Sequence, residues 1–143
     1  LSCKYNYKDG ELNGLWEEFH ENGQLTLRGN YKNGKKDGLE EEFEDNGQRK
    51  SKGNYKDGKK DGLWESYQEN GQLWLKENYK DGERDGLQEI YYTNGQLGLR
   101  ENYKNGEMYG PSEYFDENGQ LTTLENVVFS DEIPFTYLLI RTT

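Results

Sequence analysis

Leu15 and Phe19 alternate with Trp16, Glu18 and His20 along one short run, and Leu25, Leu27 and Tyr31 alternate with Thr26, Arg28, Asn30 and Lys32 along the next. A period of two belongs to β-strands. Asn22-Gly23 between the runs is a strong short-range hairpin signal. A two-residue loop there would set Phe19 against Thr26 and mix apolar with polar on both faces. A three-residue loop, with Glu21 and Asn22 in a type I turn and Gly23 left-handed, sets Phe19 against Leu25 and Leu15 against Gly29 on one apolar face, and is the expected register. The second connection, Asn33 to Gly38, again supplies glycines where positive φ is needed, so successive hairpins should join into one antiparallel meander.

The pattern that starts at Gly14 returns at Gly38, Gly62, Gly86 and Gly110 without insertion or deletion. Tyr7, Tyr31, Tyr55, Tyr79 and Tyr103 form one column; Phe19, Phe43, Tyr67, Tyr91 and Phe115 form another. Such a period means that a small unit, unable to bury its apolar face alone, is stacked on copies of itself. The expected fold is all-β, an elongated single-layer antiparallel β-meander built from 24-residue β-hairpin repeats. Residues 1–126 make the array: a partial repeat over 1–13, then repeats starting at 14, 38, 62, 86 and 110. At about 4.8 Å per strand, roughly eleven strands give a twisted sheet about 50 Å long.

The two ends depart from the pattern. Leu1 to Tyr7 aligns with Leu25 to Tyr31, so the chain starts in the second strand of a unit and without Met, as a processed or truncated product of a longer array would; no signal peptide or membrane span is visible in it. Cys3 could be read as a lipidated cysteine, but it falls in the column of Leu27, Leu75 and Leu99, and core packing is the expectation. Residues 127–143 form a divergent apolar segment in which Phe135, Tyr137, Leu139 and Ile140 should either cap the last hairpin or contact a second copy.

Composition narrows the function. Thirty per cent hydrophobic residues would approach the disordered class, were the 14% aromatics not placed in strict register. With 28 acidic against 18 basic residues, the chain would repel phosphates, so nucleic acid is not an expected partner. His20 is replaced by Glu44, Gln68, Tyr92 and Asp116 at equivalent positions, so no catalytic triad is built on it. No zinc or calcium spacing occurs, and neither a cofactor nor an enzymatic activity is expected.

Two constellations remain. Glu17, Glu41, Glu65, Glu89 and Glu113 fall two residues before the aromatic column, on what should be the apolar face. They read either as carboxylates solvated in a shallow wet groove or as an acidic track for a cationic partner. On the other face, Trp64 and Trp74, with Tyr92 beside them and Trp16 in the first full unit, are candidate partner-binding residues, because the fold does not need tryptophan at these positions. Cross-strand packing, with Trp74 against Ser66 and Trp64 against Lys76, is the competing reading.

Units reading G-L-W-E-x-[FY]-x-E-N-G-Q-L-x-L-[KR]-x-N-Y-K-[DN]-G-x-x-D-G resemble MORN repeats, and more narrowly a bacterial variant group often labelled antitoxin-like. The resemblance covers residues 1 to about 126. It implies an elongated hairpin ribbon acting as a scaffold, a dimerisation module or sometimes a membrane-associated domain. This chain has fewer glycines and many more charges than the better-known pattern, which argues against lipid binding. The function expected is thus a non-catalytic scaffold for protein–protein interaction, self-association or an antitoxin-like role included; a cell-wall or glycan-binding surface module is the alternative.

Overall fold

The computed structural model describes residues 2–123; the segment holding Phe135, Tyr137, Leu139 and Ile140, for which a cap or dimer contact is expected, lies outside them. Eleven strands lie side by side in chain order: Ser2–Lys4, Gly14–Phe19, Leu25–Lys32, Gly38–Phe43, Arg49–Lys56, Lys59–Tyr67, Leu73–Lys80, Gly86–Tyr91, Leu97–Lys104, Glu107–Phe115 and Leu121–Thr122. Each neighbour is antiparallel. The result is the single-layer meander that the alternation predicts.

The hairpin loop forms as the Asn-Gly signal implies. The His20 N–H donates to the Gln24 carbonyl at 2.8 Å and the Gly23 N–H to the His20 carbonyl at 2.9 Å. Gly23 sits at φ 82°, which a glycine adopts without steric cost. Phe19 then faces Leu25, as expected. One residue further on, the register slips: Glu18 faces Leu27, and Thr26 is left over as a β-bulge. The slip recurs at Lys50, Trp74 and Gly98.

That bulge overturns the expected faces. Leu15 faces Asn30 rather than Gly29, and Trp16 faces Gly29. Because side chains alternate along a strand, a one-residue slip carries every later side chain to the opposite face. Tyr31 therefore shares a face with Trp16, while Phe19 and Glu17 share the other with Arg28. The two aromatic columns do not stand together.

On the face of Trp16, indoles lie over glycines. Trp16 covers Gly29 and Trp64 covers Gly53. Tyr5 stacks on Trp16 with centroids 6.1 Å apart, and Trp64 meets Tyr55 and Tyr79 edge-on at 5.2 and 6.5 Å. The second connection tightens this side: Asn33 at φ 50° and Gly34 at φ 75° make a two-residue turn that pairs Tyr31 with Lys36. Successive turns are tied to each other, since the Gly58 N–H donates to the Lys36 carbonyl at 2.8 Å and the Gly82 N–H to the Lys60 carbonyl at 2.9 Å. Lys36 is thereby held with its ammonium 5.2 Å from the Trp16 ring and 4.9 Å from that of Tyr55.

One row on this face decides where the core lies. It crosses the sheet as Cys3, Glu18, Leu27, Glu42, Ser51, Ser66, Leu75, Ile90, Leu99 and Tyr114, each opposite the next. Leu75, Ile90 and Leu99 are buried and form the apolar cluster, with Trp74 and Tyr114 packed against it. Burying such side chains is worth about 1.5–3 kcal/mol each. Cys3 keeps its place in the row but is exposed, contrary to the packing expected, because its strand is paired on one side only.

Candidate binding groove

The apolar row is broken at Glu42, Ser51 and Ser66, and the break opens a groove of about 1010 Å³. It crosses four strands. Glu40, Glu42 and Glu44 stand along one flank, Ser51 and Ser66 occupy the middle, and Trp74 and Glu77 close the other flank. Tyr55, Lys60 and Trp64 bound it toward the second connection, and Gln68 and Glu69 toward the hairpin loop. Small hydroxyl side chains where the next units carry leucine and isoleucine leave the space unfilled.

Trp64 is anchored on the wall rather than free. It is only 8% exposed, its Nε1–H donates to the Asn54 carbonyl at 3.1 Å, and Lys60 sits 4.1 Å over its ring. It faces Glu77, not Lys76. Trp74 is the bulge residue of its strand, so it faces neither Ser66 nor solvent squarely; Leu75 takes the place opposite Ser66. Its ring rests against the apolar cluster and forms part of the groove lining.

The other two candidates are also packed side chains. Trp16 is 4% exposed beneath Tyr5 at the N-terminal end of the sheet. Tyr92, also 4% exposed, donates its hydroxyl to the Phe115 carbonyl at 2.7 Å. The groove lining joins Trp64 with Trp74, and neither Trp16 nor Tyr92 belongs to it.

The five glutamates expected on the apolar face are not an uninterrupted acidic row. The bulge sets each opposite a base, so Lys4, Glu17, Arg28, Glu41, Lys52, Glu65, Lys76, Glu89, Arg100 and Glu113 alternate in sign across ten strands. Arg28 and Arg49 reach Glu41 at 2.6 and 2.7 Å, and Lys52 reaches Glu65 at 2.7 Å. Burial alone would raise the Glu41 carboxyl, but the hydrogen bonds from the two arginines outweigh it and hold the group below its ordinary value. Glu65 is depressed in the same way, its burial opposed by hydrogen bonds from Lys52 and Tyr67.

Excess negative charge gathers instead in the groove, where Glu40, Glu42, Glu44, Glu69 and Glu77 outnumber Lys50 and Lys60. Glu40, Glu42 and Glu77 are paired with Lys36, Lys50 and Arg84 respectively. Among the described residues, Glu44 and Glu69 form no direct salt bridge, although the charge of Glu44 acts on Lys50. The amide of Gln68 has both its nitrogen and its oxygen buried without a hydrogen-bond partner. Sequence reading missed this acidic cluster because Glu40, Glu42 and Glu44 occupy three different columns; their spacing of two, along one strand and the residue just past its end, was the available signal.

An open ribbon of hairpins, bearing a groove where its apolar row is interrupted, defines a β-hairpin repeat protein. The chain belongs to the MORN repeat variant family, whose model matches residues 12–33, 36–57, 60–81, 84–105 and 108–127. Among solved structures, it is similar to a mutant of S. aureus TarM in complex with Fondaparinux, alpha-GlcNAc-glycerol and UDP, at 16% identity and a TM-score of 0.44, covering 67% of this chain and 19% of that one. TarM itself matches at 15% identity and a TM-score of 0.44, covering 75% of this chain and 20% of that one. The chain thus spans about one fifth of the length of these proteins. No curated protein matches it.

Proposed function

We propose that this chain is a non-catalytic interaction module that binds a protein partner in the groove between Glu42 and Trp74. What carries the reading is the interruption of the apolar row at Ser51 and Ser66, which leaves two tryptophans and an unpartnered amide around a space that the repeat itself does not fill. A single-layer sheet cannot cover both of its faces, and a partner completes the burial that the array leaves open. An antitoxin-like role is one form that such binding takes.

The glycan-binding reading rests on a specific feature as well, since Trp64 and Trp74 border a groove that is also lined by carboxylates and hydroxyls. Selection from a random displayed-peptide library on the full chain, with counter-selection on the Trp74→Ala variant, separates the two. Peptides that depend on Trp74 support the interaction module. Recovery of none, together with calorimetric binding of a chitin oligosaccharide, moves the function to glycans; neither kind of binding overturns both.

A further inference from the structure

Resting on that reading, we propose that the occupant of the groove is an extended polypeptide segment rich in lysine or arginine. The lining carries more carboxylates than bases, and at its loop end Glu44 shares the charge of Lys50 with Glu42 while Glu69 forms no salt bridge among the described residues. Carboxylates gathered in a groove attract and orient a cationic partner, and like charge on the wrong partner is rejected.

The groove already holds an ammonium of its own. Lys50 places Nζ 2.9 Å from the Glu42 carboxylate, and that hydrogen bond raises the lysine above its ordinary value. Lys60, at the opposite end, lies over the Trp64 and Tyr79 rings at 4.1 and 4.9 Å. Both modes by which a lysine is recognised, carboxylate pairing and a cation on an aromatic face, are therefore present in one lining. An incoming side chain would lay its methylene stem along Trp74 and bring its head group to Glu44 and Glu69.

The Gln68 amide points to main chain as well as side chain. A buried primary amide with an unused donor and an unused acceptor is matched by a peptide group, which offers one of each. The extended form follows from that same amide, since an extended segment presents free peptide groups, whereas a helix uses most of its own within itself; the floor that such a segment would cross carries Ser51 and Ser66, facing positions on adjacent strands.

The test uses an alternating lysine–serine peptide and its glutamate–serine counterpart, titrated calorimetrically into the full chain. Three variants accompany the wild type: the groove triple Glu42→Gln, Glu44→Gln and Glu69→Gln; a control triple of exposed sites, Glu21→Gln, Glu107→Gln and Glu117→Gln; and Ser66→Leu, which fills the groove and extends the apolar row, with the thermal midpoint of each variant measured beside the titration so that loss of binding is told from loss of fold. The lysine peptide should bind the wild type, weaken at least tenfold with the groove triple, stay within twofold with the control triple, and fail on Ser66→Leu; the glutamate peptide should not bind. Equal weakening by both triples would mean bulk charge attraction and overturn the proposal, as would no binding of the lysine peptide. Displayed peptides that depend on Trp74 but carry no excess of lysine or arginine would overturn this inference and leave the interaction module standing; absence of any such peptide would remove both.

Discussion

Trp64 lies across Gly53 so closely that a β-carbon built on that glycine would stand 2.1 Å from the indole Cδ2. The ring is held by the Asn54 carbonyl, by Tyr55 and by Tyr79, so it has nowhere to retreat. Gly53→Ala should therefore destabilise the fold by about 1–3 kcal/mol through overpacking. Urea midpoints check this, and a Gly53→Ala chain that also carries Trp64→Leu should recover part of the loss. An unchanged midpoint in the single variant would contradict the close approach.

Ile90, 2% exposed and touching Leu75 and Leu99, should cost about 2–5 kcal/mol when cut to alanine. Leu39, 43% exposed on the opposite face, should cost less than about 1 kcal/mol for the same change. Comparing the two midpoints tests which face holds the core. Equal losses would sink the assignment.

The ion pairs of the alternating row predict an acid limb. A carboxyl held below its ordinary value in the fold adds stability that is complete above that value and is lost as pH falls through the depressed one. With Glu41 and Glu65 both depressed, the urea midpoint should drop below about pH 4.5, and Glu41→Gln should make the drop shallower. Tyr91 acts at the other end. Burial and the hydrogen bond to Glu89 push its hydroxyl up to about 12, so the stability it adds is present below pH 10 and is lost as pH rises toward 12. Tyr91→Phe should flatten that alkaline limb.

Asn33 holds a left-handed conformation at φ 50°, in a turn whose second residue, Gly34, is also left-handed. A β-branched residue there is strained, so Asn33→Val should lower stability by about 1–2 kcal/mol. Asn33→Gly should be tolerated. Thermal midpoints of the two variants, measured side by side, decide the matter.

The repeat, its hairpin loop and the antiparallel order were legible in the sequence because Asn-Gly and the period of two act locally. The bulge was not, since its positions are filled by Thr26, Lys50, Trp74 and Gly98, which share no chemistry. Two other signals would have revealed it. Positions equivalent to Glu17 are always glutamate, and those equivalent to Arg28 are lysine or arginine in every unit but the last, where Leu124 stands, a pairing that only the slipped register satisfies. Trp16 and Gly29 likewise make sense only as neighbours, a large ring needing an empty place beside it. The groove stayed hidden for a different reason: it depends on what Ser51 and Ser66 lack, and a missing methyl group leaves no mark until the rows are in register.

The alternation of sign from Lys4 to Glu113 also governs how such an array can change length. Each of the units starting at 14, 38, 62 and 86 brings one glutamate and one base to the row, so removing residues 38–61 would set Arg28 beside Glu65, again an attractive pair. Loss of a single strand would instead bring two like charges together at the seam, a contact that destabilises a sheet. Duplication and deletion during evolution are thus free to act in whole hairpins and are penalised for half ones, which makes the hairpin, rather than the strand, the unit in which this protein is able to grow or shrink.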